Sequence, residues 1–268
     1  MRRTPVVANQ FYPGDPSILS QTLFGLIPET AKKQSAIAAI SPHAGYIYSG
    51  SVAGETLSSI IIPEDVIILG PNHHGNGTPI GLMSHGSWDM PLGEVPINEE
   101  LAQLILTYST LVEEDEVCHQ YEHSLEVQVP FLQYQQKNLT IAPLVISHIP
   151  YASCEEIGKT LATAIKKYDK PVLIVASTDM THYESRQSAS HKDHQAIRHI
   201  LELDPQGLYD TVLGQRISMC GIMPTTITLV AALELGATRA DLVRYTDSGE
   251  ASGDTNQVVG YAGITISS

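Results

Sequence analysis

The chain has 268 residues, 43% of them hydrophobic and 16% charged, with 29 acidic against 15 basic side chains and a formal net charge of −14. This composition supports a sizeable core and excludes general disorder. A negative surface also opposes binding to nucleic acid or anionic lipid, which depends on lysine and arginine displacing counterions, so no nucleic acid and no membrane are expected as partners.

The three cysteines, Cys118, Cys154 and Cys220, are odd in number and widely spaced, which argues for reduced thiols in a cytoplasmic setting. The opening MRRTPVVANQFYPGD lacks a signal-peptide core. The longest uncharged run, Ile217 to Leu233, is interrupted by Pro224, falls short of the roughly 20 apolar residues that span a bilayer, and reads as a buried helix.

In chain order, Asp15 and Pro16 form a helix start, with Ile18, Leu19, Leu23 and Leu26 at helical spacing. The runs Ala36 to Ser41, Val66 to Gly70, Leu139 to Val145 and Val172 to Ser177 are apolar without alternation, as in strands buried on both faces. Helical patterns cover Ser51 to Ile61, Asn98 to Tyr108, His123 to Gln135, Cys154 to Lys167, Ser188 to Leu201 and Thr225 to Leu235. Two further strands, Leu242 to Tyr245 and Val258 to Ile266, flank the loop DSGEASGD. Strands alternating with helices predict an α/β fold, a mostly parallel central sheet flanked by helices. With no linker or repeat, residues 1–268 are read as one domain.

Three buried strands run directly into histidine-bearing segments: AIAAIS into Pro42 and His43, VIILG into Pro71, Asn72, His73 and His74, and VLIVAS into Thr178, Asp179 and His182. Evenly scattered, the 11 histidines would place about 0.7 in these three six-residue windows, which hold four. Ligands bind beyond the carboxyl ends of parallel strands, so His43, His73 and His182 are expected to converge. Neutral imidazoles are common metal ligands, and Asp179, Glu126 and Cys220 are the candidate anionic partners. Cys220 lies just ahead of an apolar helix, whose N-terminus is expected to lower its pKa.

Taken singly, each of these residues has a plainer reading. A strand-end histidine often only bonds a carbonyl, and a lone cysteine is more often a small buried hydrophobe. Tyr46 and Tyr48 read first as core caps. Gly158-Lys159-Thr160 resembles the end of a phosphate-binding loop, but Ser153 stands where that motif needs glycine. His85, His119, His148, His191, His194 and His199 lie outside the strand-end windows and read as structural or solvent-facing. His123 and Glu126 share one helical face, and either orient ligands or simply begin a helix.

The segments SPHAGYIYSG (41–50), ILGPNHHG (68–75), EHSLEVQVPFLQ (122–133), STDMTHY (177–183) and CGIMPT (220–225), in this order and spread over nearly the whole chain, resemble the Memo family. The resemblance implies a fold like that of the class III extradiol ring-cleaving dioxygenases, non-haem Fe(II) enzymes with two histidines and a glutamate on the metal. It matches His43 and His73 to the two histidines and puts Cys220 at the position of the glutamate, so that His43, His73 and Cys220 form the implied metal set. Asp179 and His182 match further pocket residues and, with His123, are the implied catalytic groups.

A thiolate shifts preference toward Cu(I) or zinc without excluding iron, so ring cleavage does not carry over directly. The implied cofactor is Fe(II) or copper, with zinc compatible. The implied activity is metal-dependent and oxidoreductase-like, on an unknown small molecule. Two alternatives stand beside it: a non-catalytic module binding a peptide or small ligand, and a metal-free enzyme with Cys220 as nucleophile. In prokaryotes the resemblance also implies a functional link to radical-SAM and AMMECR-type proteins.

Overall fold

The computed structural model describes residues 2–29 and 33–268. The N-terminal arm carries β1 (Arg2–Arg3) and leads into α1 (Pro16–Leu26), whose N-cap Asp15 accepts hydrogen bonds from Ser17 N and Ile18 N. There follow β2 (Ala38–Ser41), α2 (Tyr46–Ser58), β3 (Asp65–Pro71), β4 (Ile80–Leu82), β5 (Ser87–Met90), β6 (Gly93–Pro96), α3 (Glu99–Tyr108) and β7 (Glu113–Glu114). A loop with two short 3-10 turns leads to α4 (Val129–Gln135), β8 (Thr140–Ile146), α5 (Tyr151–Tyr168), β9 (Val172–Ser177) and β10 (His182–Glu184). The chain ends with α6 (Arg186–Leu201), α7 (Pro205–Gly214), α8 (Ile222–Glu234), β11 (Arg239–Asp247), α9 (Gly249–Ser252) and β12 (Val258–Ser267).

Nine strands form one mixed sheet in the order β10-β12-β2-β9-β3-β8-β4-β7, with β11 also paired to β12. The four central strands, β2, β9, β3 and β8, are parallel. Both flanks turn antiparallel, through β12 against β2 and β4 against β8. The four apolar runs read from the sequence are these central strands, and they are buried because helices cover both faces. Ile40, Ile67, Leu69, Ile174 and Ala176 pack on one side with residues of α5, α6 and α8. Ala39, Val66, Ile68, Leu173 and Val175 pack on the other with residues of α1, α2 and α4. Alternate side chains of one strand point to opposite faces, so both cores draw on the same strands.

Helix α2 begins at Tyr46, earlier than the pattern suggested, and the acidic loop near the end contains the one-turn α9. The apolar run around Pro224 is helix α8, buried over most of its length. Among the described residues, no helix is long and apolar enough to cross a membrane. A separate three-stranded sheet, β1-β5-β6, brings Arg3 opposite Trp88.

Candidate metal centre

Strands β2, β9 and β3 are neighbours and parallel, so the segments leaving their carboxyl ends emerge side by side. His43 follows β2, His73 follows β3, and Thr178 and Asp179 leave β9 between them. From the far side comes the loop bearing Glu122 and His123. Gly70, near the end of β3, allows that approach, since a Cβ there would lie 2.5 Å from both Ser124 Oγ and Leu125 Cδ1.

One ring nitrogen each of His43, His73 and His123 lies within 4.8 Å of the other two, and among the described residues these three form the group able to hold a metal ion. The ring centroids are 5.3 Å apart for His43 and His73, 5.6 Å for His43 and His123, and 4.7 Å for His73 and His123. His43 is buried, whereas the side chains of His73 and His123 are 30% and 20% exposed.

The hydrogen bonds place a proton on Nδ1 of two of the rings. The Ser177 hydroxyl donates its single proton to Ser124 O at 2.6 Å and accepts from Gln128 Nε2 at 2.8 Å. At 2.9 Å, His43 Nδ1 must therefore be the donor to Ser177 Oγ, which leaves Nε2 of the neutral ring as the acceptor, facing Cys220 Sγ. His73 Nδ1 faces Glu122 Oε1 at 2.9 Å, and an ionised carboxylate only accepts, so this Nδ1 also carries a proton. Glu122 further accepts from the main-chain N–H of His73 and of Ser124.

Burial, reinforced by the neighbouring His123 and His73, holds the His43 pKa well below the usual imidazole value. His123 falls to about 4, chiefly through burial. Burial also works against the charged form of His73, but the Glu122 carboxylate outweighs it and the pKa is raised. Glu122 is correspondingly held below the usual carboxylate range, its burial outweighed by His73 and the two N–H donors. His43 and His123 are thereby favoured as neutral rings, the form in which histidine ligates a metal ion, whereas His73, whose charged form Glu122 favours, ligates only without a proton on Nε2.

Cys220 stands immediately beside this group, its Sγ 3.4 Å from His43 Nε2 and 3.2 Å from the Asp179 main-chain N–H that donates to it. Thr178 Oγ1 accepts from Gly221 N, tying this turn to the end of β9. The thiol pKa is raised, first by burial and then by the Asp179 charge, so the expected lowering by the helix N-terminus does not prevail. Asp179 Oδ1 accepts the His43 main-chain N–H at 2.8 Å, and burial raises this carboxyl above the usual range despite that bond. His182 begins the edge strand β10, and its Nδ1 donates to Ser218 O at 2.8 Å. The other two thiols are buried elsewhere, and Cys154 is pushed up to about 12 by burial.

Glu126 faces away from the three histidines and into the N-terminal arm. It pairs with Arg3 Nη1 at 2.8 Å, accepts from Val6 N and Val7 N, and accepts from Tyr12 Oη at 2.6 Å. Arg3 also donates to His119 O and Glu122 O and lies 4.2 Å from the Trp88 ring centre. His119 is a buried structural residue bonded to Gly81 O, and His74 is exposed near Tyr121. Sequence reasoning placed Glu122 only within a polar segment, and gave Ser177 and Gln128 no role. Their signal was their position in the segments STDMTHY and EHSLEVQ.

A family model described as Memo-like protein matches residues 3–265. A MEMO1 family protein of Aquifex aeolicus is 42% identical over 266 residues, covering 98% of each chain. Another from Methanopyrus kandleri is 38% identical over 280 residues, covering 99% of each. An uncharacterized Escherichia coli K12 protein of known structure shares the fold, with a TM-score of 0.52 at 16% identity over 84% of this chain and 98% of that one. The chain belongs to the Memo-like family.

Proposed function

We propose that this Memo-like protein is a metal-dependent, oxidoreductase-like enzyme acting on a small molecule, with the ion held by His43 and His73 and completed by His123 and the adjacent Cys220. The observation that carries this reading is the grouping of one ring nitrogen each of His43, His73 and His123, with Nδ1 of His43 and of His73 engaged by Ser177 and Glu122. An iron or copper ion, when bound, supplies Lewis acidity and one-electron chemistry, and the mixed nitrogen and sulfur donors also accommodate zinc. Asp179, raised toward its protonated form, and His182 at the edge of the site are the groups proposed to hold and move protons at the substrate.

The metal-free nucleophile reading is weaker because the Cys220 thiol is pushed up, away from thiolate. Metal content is the direct test: protein purified without oxygen or chelators should contain close to one equivalent of iron or copper, and His43→Ala and His73→Ala should lose it. Equal metal content in the parent and both variants would overturn the assignment. Metal-loaded protein that never consumes oxygen or turns over a redox substrate would leave a ligand-binding module instead.

A further inference from the structure

The three histidines are not held alike. His43 Nδ1 is fixed by a neutral hydroxyl whose own proton is committed elsewhere. His73 is fixed by a carboxylate that grips it twice, at the ring through Oε1 and at the main chain through Oε2. Among the described residues His123 has no such anchor: its Nδ1 is 3.6 Å from Glu122 Oε1, beyond a good hydrogen bond, and its ring rests against His73 and Phe11, whose centroid is 4.9 Å away. Glu122 thus lies beside two imidazoles and commits to one of them.

We propose that Glu122 is a positioning residue that makes His73 a strong, fixed donor to the metal and leaves His123 as the exchangeable one. This deepens the metal-dependent reading above and rests on it. A carboxylate hydrogen-bonded to the far nitrogen of a ligating imidazole fixes its tautomer and raises its basicity, and loss of such a partner typically weakens metal affinity about 10–100-fold.

The placement of Glu122 is built into the fold. Its carbonyl accepts from Arg3 Nη2 at 2.7 Å, its carboxylate accepts from Ser124 N at 2.8 Å, and its side chain is almost fully buried. Three N–H groups converge on its two oxygens. Glutamine, with one acceptor oxygen and an NH2 group, cannot serve all three. His123, at the next position, has nothing comparable on its ring among the described residues, and yields its place there without breaking a hydrogen bond.

Two measurements on Glu122→Gln and on the milder Glu122→Asp test this. The first is long-range 15N–1H NMR of the histidines in metal-free protein. The parent should show His43 and His73 both protonated at Nδ1. Glu122→Gln should scramble His73 alone, with His43 as the internal control, and Glu122→Asp should restore part of the parent signal. The second is zinc(II) affinity by competition with a chelator. Glu122→Gln should weaken it about 10–100-fold, and His123→Ala should weaken it less than His73→Ala.

A parent-like His73 tautomer in Glu122→Gln would overturn the proposal, as would zinc(II) affinity within twofold of the parent or equal losses in His123→Ala and His73→Ala. Should the parent bind neither zinc(II), iron nor copper, the metal reading fails, while the tautomer measurement still decides whether Glu122 positions His73.

Discussion

His43, Ser177 and Asp179 stand at or just beyond the ends of neighbouring parallel strands, and the sheet ladder sets their spacing to within a residue of register. Glu122, His123 and Glu126 stand on a loop with only two short 3-10 turns, and no ladder holds it. The loop is gripped instead by Arg3 of the N-terminal arm, through His119 O, Glu122 O and the Glu126 carboxylate. One wall of the site is positioned by backbone hydrogen bonds among adjacent strands. The other depends on a buried ion pair formed by residues more than a hundred positions apart.

The two walls should therefore fail differently. The largest effect is expected from Glu126→Ala, which strands the buried Arg3 guanidinium and removes the acceptor for Val6 N, Val7 N and Tyr12 Oη. Breaking a buried pair by removing one partner costs about 3–5 kcal/mol, to be read from urea denaturation, with metal affinity falling as the loop loosens. A loss below about 1 kcal/mol would mean that the arm does not hold the loop wall. Ser177→Ala attacks the other wall and should cost less, about 1–3 kcal/mol, the penalty for an unsatisfied buried donor. Because the strands remain paired, His43 should stay in place but lose its fixed tautomer, visible by 15N NMR without large chemical-shift changes in the sheet.

The smallest effect concerns reactivity rather than stability. A thiol with a raised pKa holds little thiolate near neutrality, so its labelling should be slow there and should keep rising with pH where an ordinary cysteine has levelled off. In chelator-treated protein, iodoacetamide labelling of Cys220 between pH 7 and 10 checks this. A plateau below pH 8.5 would revive the nucleophile reading.

The strand-end wall was legible in the sequence because its cause is local. A doubly buried strand is an apolar run, and the residues that follow it must emerge at its carboxyl end. Val172–Ser177 matches its run to the residue. The parallel core was legible for the same reason, but its antiparallel flanks were not, since apolar content does not encode strand direction. The loop wall was hidden because its placement rests on Arg3 and Gly70, neither of which carries a local signature. His123 was singled out for helical spacing with Glu126, yet it is a tight turn that sends one toward the histidines and the other toward the arm. His182 shows the limit of the strand-end rule: three residues beyond Asp179 the chain has turned to pair with β12.

On the proposed metal-dependent reading, the single proton on the Ser177 hydroxyl bears on how an ion would be loaded. Because that proton is committed to Ser124 O, the Nδ1 proton of His43 is held by the protein's own hydrogen bonds. Folding and loading are then expected to be separate events, unlike in domains that collapse only around their metal. Occupancy should follow the free concentration of the ion reversibly, with the folded state gaining about 2.7 kcal/mol at a hundredfold excess over Kd. The same polypeptide is then expected to wait empty, fill, and empty again without unfolding.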